Sequence, residues 1–259
     1  MTIPKIKIPK FLAEKISVRQ PSEWSHLSDR EAWAVFKLMT LHIFDAGEIP
    51  VAALTALNRW KIVGRSFSGG FIVRSPEAIF ELQPEVAAKL AEPLRFLLKP
   101  SGSPWRPGRF GRRRPISADL SELTLVDWLA VENYLQRVIS TGDFSLLSRL
   151  GPILMRRRFG RIFRGEFSMP QATAVFYWIS SVKNWLRVRF PDFYSDGAPV
   201  DPAAITPKML QDSMDAQIRA LTKGDITKES EVLKMPMYRA LSELNALARE
   251  YREIKEMNK

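Results

Sequence analysis

Residues 100–115 (PSGSPWRPGRFGRRRP) hold four prolines and three glycines. Proline fixes φ and removes an amide donor, and glycine raises the entropy lost on ordering, so no helix or central strand survives that density. The segment reads as a linker. It divides the chain into an N-terminal helical or mixed region (1–99), a helical core (116–194) and a C-terminal helical module (195–259).

The fold class that follows is mainly α: a helical bundle in the C-terminal half and a less regular N-terminal part with a candidate β-hairpin. The second half carries the clearer signals. Thr124 precedes a helix with Asp127 three residues on, where a carboxylate suits the positive end of the helix dipole. Leu125, Trp128, Leu129, Leu135 and Ile139 form its apolar face, and Gly142 stands at the expected stop. Asp143 caps a next helix through Leu150, which Gly151-Pro152 interrupts. Ser168 and Pro170 open a long helix that Pro191 ends. Thr206-Pro207 starts another that closes near Gly224, and a final pair covers 227–234 and 236 to the end. In the last, Leu241, Leu244, Leu247, Ala248 and Tyr251 make a stripe, with charged residues on the opposite face.

In the first half, Ser28 and Glu31 spell a capping box, followed by Ala32, Val35, Phe36, Met39 and Ile43 at helical spacing. Gly47 ends that helix and Ile49-Pro50 opens another, with Leu54, Leu57 and Trp60 or Lys61 on one face. Residues 66–70 read as a turn, and 71–74 and 78–82 as strands around Ser75-Pro76. A helix from Pro84 to about Leu98 is split or kinked by Pro93.

Composition bounds the function. The 259 residues are 46% apolar, enough to bury a core. Cysteine is absent, which removes disulfides, thiolate metal sites and a cysteine nucleophile. The two histidines, His26 and His42, have no metal-ligand spacing. Gly64–Gly70 lacks the ending of a phosphate loop, and neither a nucleophile elbow nor a dinucleotide fingerprint occurs. No catalytic, cofactor or metal residue is therefore assigned, and a non-enzymatic role is expected. The basic start of the chain has no continuous apolar core, and the apolar run 172–182 is too short to span a bilayer. A cytoplasmic protein without a membrane span is expected.

The net charge is +11, and two acid-free segments, 100–115 and 151–164, carry five arginines each, leaving the rest nearly neutral. They are Arg106, Arg109, Arg112, Arg113 and Arg114, then Arg156, Arg157, Arg158, Arg161 and Arg164. The tetrapeptide RFGR recurs at 109–112 and 158–161, with Trp105, Phe110, Phe159 and Phe163 interleaved. Such a pattern suits phosphate contact with base stacking. It equally suits an acidic protein surface or a solvated loop. In helix 170–190 the aromatics, Tyr177, Trp178 and Trp185 among them, do not fit one narrow stripe, which marks them as core or as protein interface.

Several stretches carry a family resemblance: 123–135 (LTLVDWLAVENYL) with 140–150 (STGDFSLLSRL), then AVFYW at 174, FPDF at 190, GDITKE at 224 and YRALSELN at 238. Over roughly residues 120–250 the chain resembles small helical proteins of tail and virion modules of tailed phages and prophages, including those of Bacteroidetes, some of them similar to tail-assembly chaperones. The resemblance implies a structural or assembly role in a bacterial host or a phage-like particle, with protein partners, and no site residue. The alternative is a nucleic-acid-binding protein that uses both RFGR segments.

Overall fold

A computed structural model describes residues 16–41, 45–156, 165–194 and 206–257. The chain forms two units, divided between Pro100 and Ser101. It is mainly α, with one small sheet in the N-terminal unit.

In the N-terminal unit a 3₁₀ turn (Trp24–His26) leads into α1 (Asp29–Met39) and α2 (Ile49–Leu57). Strands β1 (Lys61–Arg65), β2 (Phe71–Arg74) and β3 (Ile79–Leu82) follow, then α3 (Pro84–Ala91) and a 3₁₀ segment, Glu92–Leu98. The capping box at α1 forms as the spacing predicts, with Ser28 Oγ accepting from Glu31 N–H and Glu31 accepting from Ser28 N–H. Trp24 centres this core. Its ring stacks on Phe36 at 5.2 Å and meets the edge of Phe96 at 5.8 Å, and its indole N–H donates to the Lys99 carbonyl at 2.9 Å.

The expected hairpin over 71–74 and 78–82 forms as β2 and β3, but the sheet has a third strand. β1 pairs antiparallel with β2, giving the order β1-β2-β3, so residues 66–70 are the turn of a second hairpin. Trp60, expected on the α2 face, lies beyond the helix and packs edge-on against Phe80 at 5.1 Å. Pro93 acts as predicted: the α-helix stops at Ala91 and continues as 3₁₀. Ile43 and His42 lie outside the described residues.

The C-terminal unit contains α4 (Leu125–Thr141), a 3₁₀ segment (Phe144–Leu150), α5 (Gly151–Leu154), α6 (Met169–Arg189) and α7 (Pro191–Tyr194). After residue 205 come α8 (Pro207–Thr222), α9 (Glu229–Leu233) and α10 (Met237–Met257). Thr124 and Asp127 form a full capping box on α4, and Gly142 closes that helix at φ 71°, in the left-handed region that glycine enters without penalty. Asp143 caps as expected, but the segment it opens is 3₁₀ rather than α. Leu125, Trp128, Leu129 and Leu135 are buried, whereas Ile139, expected beside them, is exposed. Residues 101–115 are not an open linker. They pack within this unit, fixed to α6 as described below.

One ion pair makes the N-terminal unit pH-sensitive. Glu31 accepts from the Arg19 guanidinium and from Ser28, and these bonds, Arg19 first, hold its carboxyl at about 2 against an ordinary 4.5. A depressed carboxyl stabilises the fold fully above about pH 4.5, and that stability is lost as pH falls toward 2. Arg19 is half exposed, so screening limits the pair to about 1 kcal/mol. Glu31→Gln is expected to lower stability by about that much at neutral pH, with the gap to the parent closing in acid. Urea titrations followed on α1 amide resonances check this.

Candidate binding surfaces

The two arginine segments meet. Ile116 N–H donates to the Leu154 carbonyl at 2.9 Å and Arg156 N–H to the Arg114 carbonyl at 2.8 Å, with a bridge between Pro115 and Met155. This short antiparallel pairing sets Arg114 beside Arg156. Next to it Phe110 and Arg113 exchange backbone bonds of 3.0 and 3.1 Å around Gly111, whose φ of 60° makes the tight turn. Arg109, Arg112, Arg114 and Arg156 are exposed and Arg113 is half-buried. Arg156 pairs with Glu122 at 2.7 Å. Among the expected binding arginines, Arg156 is thus partly committed to this pair and Arg106 to the fold. Arg106 Nε donates to the Ile116 carbonyl at 2.8 Å, and its guanidinium lies over the Trp178 ring at 5.6 Å.

The expected aromatic contacts divide differently. Phe110 is buried against Phe167 and Trp178, at 6.2 and 6.3 Å between ring centres. Trp178 is wholly buried, and its indole N–H donates to the Ala118 carbonyl at 2.6 Å. Both are core residues, not interface. The reason is local: a segment dense in proline and glycine has few backbone bonds of its own, so its aromatics supply the packing that fixes it. Trp105, Tyr177 and Trp185 are half-buried. Trp105 N–H donates to Ser181 Oγ at 3.2 Å. Trp185 meets Tyr238 edge-on at 5.7 Å, under Arg189. Burial raises the Tyr177 phenol. Arg157, Arg158, Phe159, Arg161, Phe163 and Arg164 lie outside the described residues.

A second surface is a groove of about 670 Å³ bounded by α4, α7, α8 and α10. Met209, Leu210 and Met214 of α8 face Leu247, Ala248 and Tyr251 of α10 across it. Its polar part holds the Lys183–Glu132 ion pair, 3.0 Å long and mostly buried. Tyr194 also lines it. Burial, and then the Glu132 charge, push this phenol far above its ordinary value, so it stays neutral. Beyond the groove, α10 continues with Ile254 and Met257, and Tyr251, Ile254 and Met257 are 66%, 54% and 77% exposed. Of the expected α10 stripe, Leu241 and Leu244 are buried and Tyr251 is exposed. The signal was present in the apolar spacing Leu244, Leu247, Tyr251, Ile254, which runs on past the part the body covers.

Among the described residues no cluster of three metal-ligating side chains occurs, and no helix is long and apolar enough to cross a membrane. Comparison with protein-family models, curated proteins and solved structures found no match.

Phe110 and Arg112 sit two residues apart with opposite roles. Phe110→Ala is expected to lose about 3–5 kcal/mol of stability through the cavity it leaves. Arg112→Ala is expected to stay within about 0.5 kcal/mol of the parent. Chemical denaturation of the two variants tests the division.

Proposed function

We propose that the chain is a non-enzymatic structural or assembly protein of the phage and prophage type, acting in the bacterial cytoplasm or within a phage-like particle. It holds a protein partner by an apolar helix face seated between α8 and α10. The observation that carries this reading is the groove with its exposed continuation along α10. Large apolar side chains at helical spacing, open to solvent on a helix end, mark a surface that another helix covers. The methionines suit it, because the flexible thioether adapts to a partner's shape. The arginine patch adds charge that an acidic flank of the partner would meet.

Tyr251→Asp and Ile254→Asp place charge on this surface at positions the protein's own core does not use. Each is expected to leave the fold intact by circular dichroism and to abolish retention of the partner when the tagged protein is co-expressed with its native gene neighbours. Retention surviving both changes sinks the groove reading.

A second reading is favoured by the pairing of 114–116 with 154–156, which sets Arg114 of one basic segment beside Arg156 of the other. In this reading the patch tracks a nucleic-acid backbone through phosphate contacts. Stacking by Phe110 drops out, since it is buried. Affinity for duplex DNA would then fall with salt at a log–log slope of roughly −0.9 per phosphate contacted, and loss of Arg112 and Arg114 would flatten it by about two contacts. Retention of a protein through nuclease and high-salt washes favours the first reading. Nucleic acid released by salt, with no protein held, favours the second.

A further inference from the structure

The N-terminal unit has a cavity of its own, of about 520 Å³, between the start of α1, the end of α2 and the β2–β3 turn. Three arginines line it, Arg19, Arg30 and Arg59, with two carboxylates, Glu31 and Glu77. Arg19 and Glu31 neutralise each other through two bonds. Among the described residues, Arg30 and Arg59 form no ion pair. The cavity therefore keeps two guanidinium groups against one remaining carboxylate. One wall is apolar, formed by Ala34, Ala56, Leu57, Trp60 and Pro76.

Arg59 stands where its own backbone is unfavourable. It follows the α2 cap residue Asn58 at φ 56°. Its N–H donates to the Ala56 carbonyl at 3.2 Å, and Trp60 N–H reaches back to the Thr55 carbonyl at 2.8 Å. This is the helix ending that glycine ordinarily occupies. A side chain here carries a conformational penalty that glycine would not.

We propose that this cavity binds a small organic anion: one carboxylate or phosphate head held by Arg30 and Arg59, and an apolar body against the Trp60 and Pro76 wall. Planar guanidinium groups match either head by paired N–H donation. A surplus of one positive charge suits a single anionic group. The size lies within the range of small-molecule sites.

The test is ligand-observed NMR on the full chain with phenylacetate, phenyl phosphate and neutral phenylacetamide. The two anions distinguish a carboxylate site from a phosphate site. At least one is expected to bind, with phenylacetamide about tenfold weaker. Arg59→Gly is the decisive variant, because glycine fits this backbone. It is expected to raise the melting temperature while weakening the anion about tenfold. Arg30→Gln is expected to weaken the anion without the gain in stability. Absence of binding by both anions overturns the proposal. So does equal binding of the amide, unchanged affinity in Arg59→Gly, or a fall in that variant's melting temperature.

Discussion

The C-terminal unit depends on the burial of Trp178. This one side chain, in the middle of α6, donates to the Ala118 carbonyl, lies under the Arg106 guanidinium and packs against Phe110. One turn on, Ser181 donates to the Trp178 carbonyl and accepts from the Trp105 amide. Together these contacts tie residues 105–118 to one helix. A segment with that much proline and glycine has few ways to hold itself, since a hydrogen-bond ladder is closed to it. It takes its shape from the helix it lies on. The exposed arginines that follow are then carried on a backbone fixed by that helix.

That arrangement also explains why the basic segments meet. The bonds between 114–116 and 154–156 satisfy backbone groups that proline-rich chain on one side and the end of α5 on the other would leave open. Bringing Arg114 beside Arg156 is unfavourable in itself, because like charges repel. The Arg156–Glu122 pair offsets part of this at the seam. Exposure in water limits the rest, where charges a few ångströms apart interact by about 1 kcal/mol. The pairing is therefore tolerated by the fold.

How far the sequence could be read depended on whether a signal was local. Caps and stops are local: Ser28 with Glu31, Thr124 with Asp127, Gly142 and the switch at Pro93 all stand where the residues place them. β1 was missed because Lys61-Ile-Val-Gly-Arg65 is short, charged at both ends and interrupted by glycine, so only its pairing with β2 identifies it. Phe110 differs from its expected role for the converse reason. An aromatic beside arginines looks like a contact surface until a distant helix is seen to cover it. Ile139 and Tyr251 fail in the opposite sense: helical spacing names the apolar face, but the extent of cover depends on which neighbours reach it. The groove between α8 and α10 brings together residues more than thirty positions apart, and neither helix announces it alone.

The arginines show what the local sequence leaves open. Arg106, Arg189 and Arg19 look like the others in the chain, yet each is used within the fold: one over Trp178, one over Trp185, one bound to Glu31. Arg59 differs because its backbone would be better served by glycine. Stability alone favours glycine at that helix end, so Arg59 is held there at a conformational penalty. No ion pair within the described fold offsets it. Lys223 stands in the same left-handed region at the end of α8, but there Gly224 follows at φ 82° and shares the turn. At Arg59 the next residue is the buried Trp60, and both residues line the cavity. That penalty, at a residue lining a cavity with more arginines than carboxylates, is what the proposed anion would offset.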